Sequence, residues 1–237
     1  MKLDVMQKRW REANSHNGTR LTRKCCYEKI SVGRHTYGDL NVYDWGAENE
    51  ALRIGHFVSI AEDVTFVLGG NHMTSGVSTY PFRVKFLGEA REATSKGPIV
   101  IRDDVWIGLK VIILSGVTVG QGAVVAAGSV VSKDVPSYSV FGGNPGRVLK
   151  YRFSNEIREE LECFDFGKLP DTAIRKFAQF LSDPVDLAGL RIKLRELKDF
   201  CDSSGVGGSE PIKPVKRSGV KIFLSGLVSD LIRRLKD

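Results

Sequence analysis

Four histidines, His16, His35, His56 and His72, are the side chains of this 237-residue chain best suited to moving a proton near neutral pH. His72 stands apart by its setting. It ends the run Leu68-Gly-Gly-Asn-His72, inside a long stretch that also carries Tyr80, Pro81 and Phe82. A neutral imidazole placed there could take a proton from a hydroxyl, a role that contributes about 10²–10⁴-fold in rate. A lone loop histidine is more often a surface residue, so the setting by itself leaves both readings open. His16, in the polar run Asn14-Ser-His-Asn-Gly18, reads as a solvated loop side chain. The cysteines Cys25, Cys26, Cys163 and Cys201 show no metal spacing, and no serine or cysteine has a recognisable nucleophile signature. There is no P-loop and no dinucleotide fingerprint.

The scaffold that must hold these groups is legible between Ile101 and Val135. Every sixth residue is aliphatic: Ile101, Ile107, Ile113, Val119, Val125 and Val131. Two positions before each next member stand Val105, Val111, Val117, Ala123 and Ser129, with glycines recurring at Gly108, Gly116, Gly120, Gly122 and Gly128. Six is the period neither of a helix nor of a simple strand. It is the signature of stacked hexapeptides in a parallel β-helix, where each unit is a short strand and a corner and neighbours share one core. Glycine or a small polar residue is expected at the bends. The rhythm is faint at Ile30, Thr36 and Val42 and clear at Ile54, Ile60 and Phe66, with Glu48 off-type and 44–50 an excursion. His35 and His56 then fall at turns of coils and read as corner or surface residues. After Phe66 the rhythm lapses until Ile101. The gap, 69–97, is a loop of a length that is usually functional or disordered, and its residues favour an ordered, functional one.

The ends of the chain are predicted as follows. A helix covers 3–13 with Leu3, Met6 and Trp10 on one face, and residues 1–29 form a lead-in to a β-helix domain over 30–153. Helices follow over 154–200: one at 155–163, one capped by Asp171, and one after Asp183 with Pro184 first and Asp186 in its first turn. Residues 201–219 have linker composition, and 220–237 form a basic amphipathic helix for docking on protein or touching a membrane surface. A net charge of +7 favours an anionic partner, but no nucleic-acid motif accompanies it. The first residues lack the apolar core of a signal peptide, no stretch reaches membrane-spanning length, and cytoplasmic location is expected.

Particular motifs sharpen this. Val32-Gly-Arg-His-Thr-Tyr-Gly38, Leu52-Arg-Ile-Gly-His-Phe-Val-Ser-Ile-Ala61, Leu68-Gly-Gly-Asn-His72 and Ser78-Thr-Tyr-Pro-Phe82 are followed by Val105-Trp-Ile-Gly108, 122–131 and Gly143-Asn-Pro145. Over roughly 30–190 the chain resembles the xenobiotic acetyltransferases, the hexapeptide-repeat branch that includes chloramphenicol and streptogramin acetyltransferases. The resemblance implies a left-handed parallel β-helix with three hexapeptides per coil, a homotrimer with active sites between subunits, and acetyl-CoA as co-substrate without a metal. It makes His72 the catalytic base and sets Tyr37, Asn71, Tyr80 and Trp106 on the substrate side. It implies cofactor contacts from Gly108, Ala126, Ala127, Ser132, Lys133, Asn144, Arg147 and Arg152, the small residues leaving room for a pantetheine arm and the polar and basic ones meeting phosphates. The chain departs from the family pattern at Asn144-Pro-Gly146 (usually Asn-Pro-Ala), at Ser132-Lys133 (usually Thr-Lys) and in an aromatic cluster thinned to Cys163-Phe-Asp-Phe166.

The expected reaction is O-acetylation of a small-molecule hydroxyl by direct attack in a ternary complex, with a sugar or surface-polysaccharide precursor preferred as acceptor. The alternatives are inactivation of an antibiotic by the same chemistry, N-acetylation of an amino sugar, and a β-helix scaffold that binds without catalysis.

Overall fold

In the computed structural model, which describes residues 1–203, short strands wind into a prism with three faces. Chain order runs α1 (Leu3–Ala13), β1 (Gly18–Leu21), β2 (Ile30–Val32), β3 (Tyr37–Tyr43), β4 (Leu52–Ile54), β5 (Ser59–Ile60) and β6 (Thr65–Val67). The long loop, holding α2 (Phe82–Leu87), comes next. The coils resume with β7 (Ile99–Ile101), β8 (Trp106–Ile107), β9 (Ile112–Leu114), β10 (Thr118–Val119), β11 (Val124–Val125) and β12 (Val130–Val131). A hairpin of β13 (Ser139–Gly143) and β14 (Gly146–Tyr151) closes the prism, and α3 (Asn155–Glu162), α4 (Asp171–Ser182) and α5 (Leu187–Ser203) follow.

The first face stacks β2, β4, β7 and β10. The second stacks β1, the start of β3, β5, β8, β11 and β13; the third stacks the end of β3, β6, β9 and β12. All these pairings are parallel, and the fold is the parallel β-helix expected from the repeats, with the left hand that the family resemblance implies. Register explains the period. Val32, Ile54, Ile101, Val119 and Val135 lie level on the first face, Ile60, Ile107, Val125 and Phe141 on the second, and Val42, Phe66, Ile113 and Val131 on the third. All are buried, so each sixth residue closes one side of a shared dry core.

The early coils depart from the expected phase. Val32, not Ile30, stands level with Ile54, because β3 turns its corner four residues after Gly38, where Ile60 and Phe66 are six apart. The coil then regains length through residues 44–51, which leave the prism before β4. The prism also starts earlier than the repeats announce, at β1, whose Gly18 pairs with Tyr37 and Leu21 with Leu40. A single rung has no period to detect. Helix α1 covers it: buried Met6 and Trp10 join the core, and the Trp10 indole N–H donates to Thr19 Oγ1 at 3.2 Å.

Corners are less glycine-rich than expected. His35, Phe57, Asp104 and Tyr138 all take the left-handed conformation, at φ between 54 and 61°. Ring packing accompanies the conformation, with Phe57 stacked on His35 at 5.2 Å between centroids and facing Phe166 at 6.2 Å. His16 is not merely solvated: its Nε2–H donates to the Val32 carbonyl at 2.9 Å. The C-terminal helices differ at their starts. Asp171 is the first residue of α4 rather than its cap, because its carboxylate is drawn to His35 Nε2 at 2.9 Å and to Arg34 at 3.2 Å. Asp186 is itself the cap of α5, accepting from the Gly189 N–H at 2.9 Å, so Pro184 lies outside the helix. Leu169, Ala173, Phe177 and Leu197 form a separate small core between these helices. Among the described residues no helix is long and apolar enough to cross a membrane. Most of the linker expected over 201–219 and the basic helix expected over 220–237 lie outside the described residues; 201–203 belong to α5.

Candidate active site

The loop carrying His72 leaves the prism after β6 and returns at β7, so it springs from the corner between the third and first faces. Its neck is tied. Asn71 and Thr94 exchange backbone hydrogen bonds at 3.0 and 2.9 Å, and the Asn71 side-chain amide donates to the Thr94 carbonyl and to Ser115 Oγ at 3.2 and 3.1 Å. Ser95 Oγ donates to the Leu68 carbonyl at the base. Asn71, expected on the substrate side, therefore spends its amide on holding the loop.

One residue beyond the neck, His72 is exposed, and its Nδ1 lies 2.6 Å from the Thr79 carbonyl oxygen. A carbonyl can only accept, so Nδ1 carries the proton and Nε2 of the neutral ring keeps its lone pair. Further out, Tyr80, Phe82 and Phe86 pack together with centroids 4.9, 5.7 and 6.4 Å apart, yet all three remain exposed.

Tyr37 and Trp106 lie on the outer side of the second face, level with each other across Ser59, and both are exposed. The cofactor-side residues fall into groups. Gly108 and Ala126 follow level core positions on the edge between the second and third faces, and Gly142 follows Phe141 on the same line. A Cβ on Gly108 would sit 2.7 Å from the Ala127 backbone nitrogen, so glycine is required for the coils to close up there. The hairpin tip bearing Asn144 is pinned beside them: Gly143 N–H donates to Ser129 Oγ at 3.2 Å, and that hydroxyl donates to the Ala126 carbonyl at 2.6 Å. Arg147 is exposed opposite Gly142. Ser132 and Lys133 stand at the other edge of the third face, lining with Lys96 and Ser115 a polar hollow of about 460 Å³. Both edges thus flank one face, whose outward residues include Ile112 and Val130.

Arg152 does not join them. It sits at the corner between the first and second faces, donating to the Gly122 carbonyl at 2.6 Å with Asp104 at 3.5 Å. Its guanidinium is committed to closing the prism.

His56 is buried, and its Nδ1 accepts from the Arg34 backbone N–H at 3.1 Å. Burial holds its pKa below the usual range for histidine. Burial also pushes the Cys25 thiol up to about 12 and raises Cys26 and Cys201, so these thiols stay protonated and poorly nucleophilic. Among the described residues no cluster of His, Cys, Asp and Glu could hold a metal ion.

Two residues that share a hollow with His72 escaped the sequence reading, Trp45 in the 44–51 excursion and Arg91 on the return leg of the loop, whose guanidinium donates to the Gly46 carbonyl; so did Glu50, which holds the Trp45 and Gly46 backbone. A tryptophan inside an interruption of an otherwise regular coil was the available signal.

The family described as bacterial transferase hexapeptide (six repeats) matches residues 98–133. A probable macrolide acetyltransferase of Lysinibacillus sphaericus is 44% identical over 119 residues, covering 47% of this chain and 66% of that protein. A chloramphenicol acetyltransferase of Agrobacterium fabrum is 38% identical over 132 residues, 52% of this chain and 62% of the relative. The chain thus spans just under two thirds of both these curated relatives. A chloramphenicol acetyltransferase of Escherichia coli is matched more fully, 32% identical over 183 residues, 69% of this chain and 87% of the relative. A solved hexapeptide-repeat acetyltransferase from Vibrio cholerae aligns with a TM-score of 0.48 at 34% identity, covering 65% of this chain and 83% of that one. By the extent of its likeness to the Escherichia coli protein, the chain belongs to the hexapeptide-repeat acetyltransferases, in their xenobiotic acetyltransferase branch.

Proposed function

We propose that the protein transfers the acetyl group of acetyl-CoA to a hydroxyl of a small molecule, with His72 as general base. The observation that carries this is the hydrogen bond from His72 Nδ1 to the Thr79 carbonyl, which fixes the tautomer and leaves the Nε2 lone pair open to solvent. Nε2 takes the acceptor hydroxyl proton as the oxygen attacks the thioester carbonyl. The tetrahedral intermediate collapses by breaking the carbon–sulfur bond, and the imidazolium returns its proton to the departing thiolate. No acyl-enzyme is needed, in keeping with the raised thiol pKa values. Along the outer third face, Gly108, Ala126 and Ala127 would hold the pantetheine arm of acetyl-CoA, and Lys133 and Arg147 would meet its phosphates. Since acetyl-CoA is the donor, the reaction belongs to the cytoplasm.

The working unit is a homotrimer. His72 and Trp106 leave one chain on different sides of the prism, and Tyr80, Phe82 and Phe86 form an apolar cluster without cover in a single copy. A neighbouring subunit brings a second face under the loop and covers those rings. For the acceptor, the relatives named for chloramphenicol and macrolides favour an antibiotic alcohol over the sugar precursor preferred from sequence.

Thiol release from acetyl-CoA with chloramphenicol, a macrolide, sugar alcohols and amino sugars tests the reading. Turnover of at least one hydroxyl acceptor is expected, and His72→Ala is expected to cut it at least about 10²-fold with acetyl-CoA affinity unchanged. Release only with amines would favour N-acetylation. Release with none of the panel would leave a binding scaffold, and a near-normal rate in His72→Ala would remove the imidazole from its role.

A further inference from the structure

We propose that Trp45 is the acceptor-side wall beside His72 and selects hydroxyl compounds that present a flat or apolar face, with Glu50 as the residue that positions it. The proposal rests on His72 being the base.

The excursion that carries Trp45 is more than slack in the chain. Twelve residues separate Val42 from Ile54, where six carry the coil from Ile113 to Val119 between the same two faces. The surplus is held in one conformation. Glu50 is 2% exposed, and its carboxylate accepts the backbone N–H of Trp45 at 3.1 Å and of Gly46 at 2.8 Å. Arg91 reaches across from the catalytic loop to the Gly46 carbonyl and joins the two segments. A buried carboxylate costs free energy unless such donors satisfy it, so the clamp places the backbone of residue 45 firmly.

The side chain so placed is large, apolar and left 44% exposed. Its ring presses on Gly70, two residues before His72. Gly70 has φ +79°, and a Cβ there would lie 2.8 Å from the indole. Only glycine lets the ring approach the loop's exit this closely. Tyr43 also lies against the indole, at 6.3 Å between centroids and 26° between planes, and its own ring lies under the Arg23 guanidinium at 3.4 Å. Trp45, Gly70, His72, Met73, Pro81 and Val84 line a hollow of about 250 Å³. That is below the roughly 300–1,000 Å³ of sites that enclose a drug-sized molecule, so it suits one ring or branch of an acceptor. Packing that part against the exposed portion of the indole brings a hydroxyl carried next to it up to the imidazole.

The test uses full-length protein and the acceptor panel above. For each acceptor that the wild type turns over, Trp45→Ala is expected to raise the acceptor KM about tenfold, with kcat and the acetyl-CoA KM within twofold. Trp45→Phe should recover most of the loss, because a ring is restored. Glu50→Gln should shift the acceptor KM in the same direction while its circular dichroism stays that of the wild type. If Trp45→Ala melts early, Trp45→Leu reads the same separation of KM from kcat. An unchanged acceptor KM, or equal rises in both KM values, would overturn the role of Trp45 and leave the transfer reaction standing. Absence of turnover by the wild type with every acceptor would overturn the proposed function and this inference with it.

Discussion

Ile112 and Ile113 are adjacent, identical in chemistry and opposite in fate. Ile113 is fully buried in the stack with Phe66 and Val131, and Ile112 is 37% exposed on the outer third face. Strand side chains alternate, so a charge at one position meets a dry core and at the other meets water. Ile113→Asp is therefore expected to prevent folding, and Ile112→Asp to leave a folded protein; circular dichroism and thermal melting would separate them. Equal tolerance at both positions would mean the strand register is wrong. Residues of this kind were plain in the sequence, because a period repeated over many rungs outvotes any local irregularity. Trp45 and Glu50 were not, since neither belongs to a period and their partners Gly70 and Gly69 lie some twenty residues away along the chain. His72 fell between the two: its neighbours Asn71 and Tyr80 suggested a family, but only the Thr79 carbonyl fixes which nitrogen carries the proton. Arg152 looked like a phosphate ligand because charge is visible in sequence and commitment to the Gly122 carbonyl is not.

At the scale of elements, the prism and the C-terminal helices meet at the corner between the first and second faces. His35 and Arg34 reach Asp171 of α4, Arg34 also donates to the Leu169 carbonyl, and Phe57 packs on Phe166. His56 sits buried in this junction. Its pKa is lowered chiefly by burial, with Arg34 and His16 lowering it further and Asp103 and Asp165 raising it. A histidine depressed in the folded state contributes stability above its unfolded pKa of about 6.5 and loses it as pH falls through the folded value. Protonation would also abolish the bond that Nδ1 accepts from the Arg34 N–H. The melting temperature of the wild type is therefore expected to fall from pH 7.5 to pH 5 by more than that of His56→Gln, whose amide oxygen can still accept from Arg34. Parallel curves for the two proteins would show that the imidazole does not titrate at this junction. The start of α4 differs from the sequence expectation for the same reason that the junction exists. Asp171 is a sound capping residue locally, but the Arg34 guanidinium and the His35 imidazole on the prism claim its carboxylate.

At the scale of the whole molecule, the account depends on a site shared between copies. The loop bearing His72 projects from the edge between the third and first faces, and Trp106 looks out from the second. No single chain brings the two together, whereas a threefold ring of chains can set each loop over a neighbour's face. The most direct measurement co-expresses His72→Ala with Trp106→Ala and compares thiol release by the purified mixed trimers with that of each variant alone. The account predicts that each variant is severely impaired and that the mixture regains a substantial share of wild-type turnover, because some sites pair an intact His72 from one chain with an intact Trp106 from the next. A mixture no more active than its components, in trimers shown to contain both chains, would contradict it.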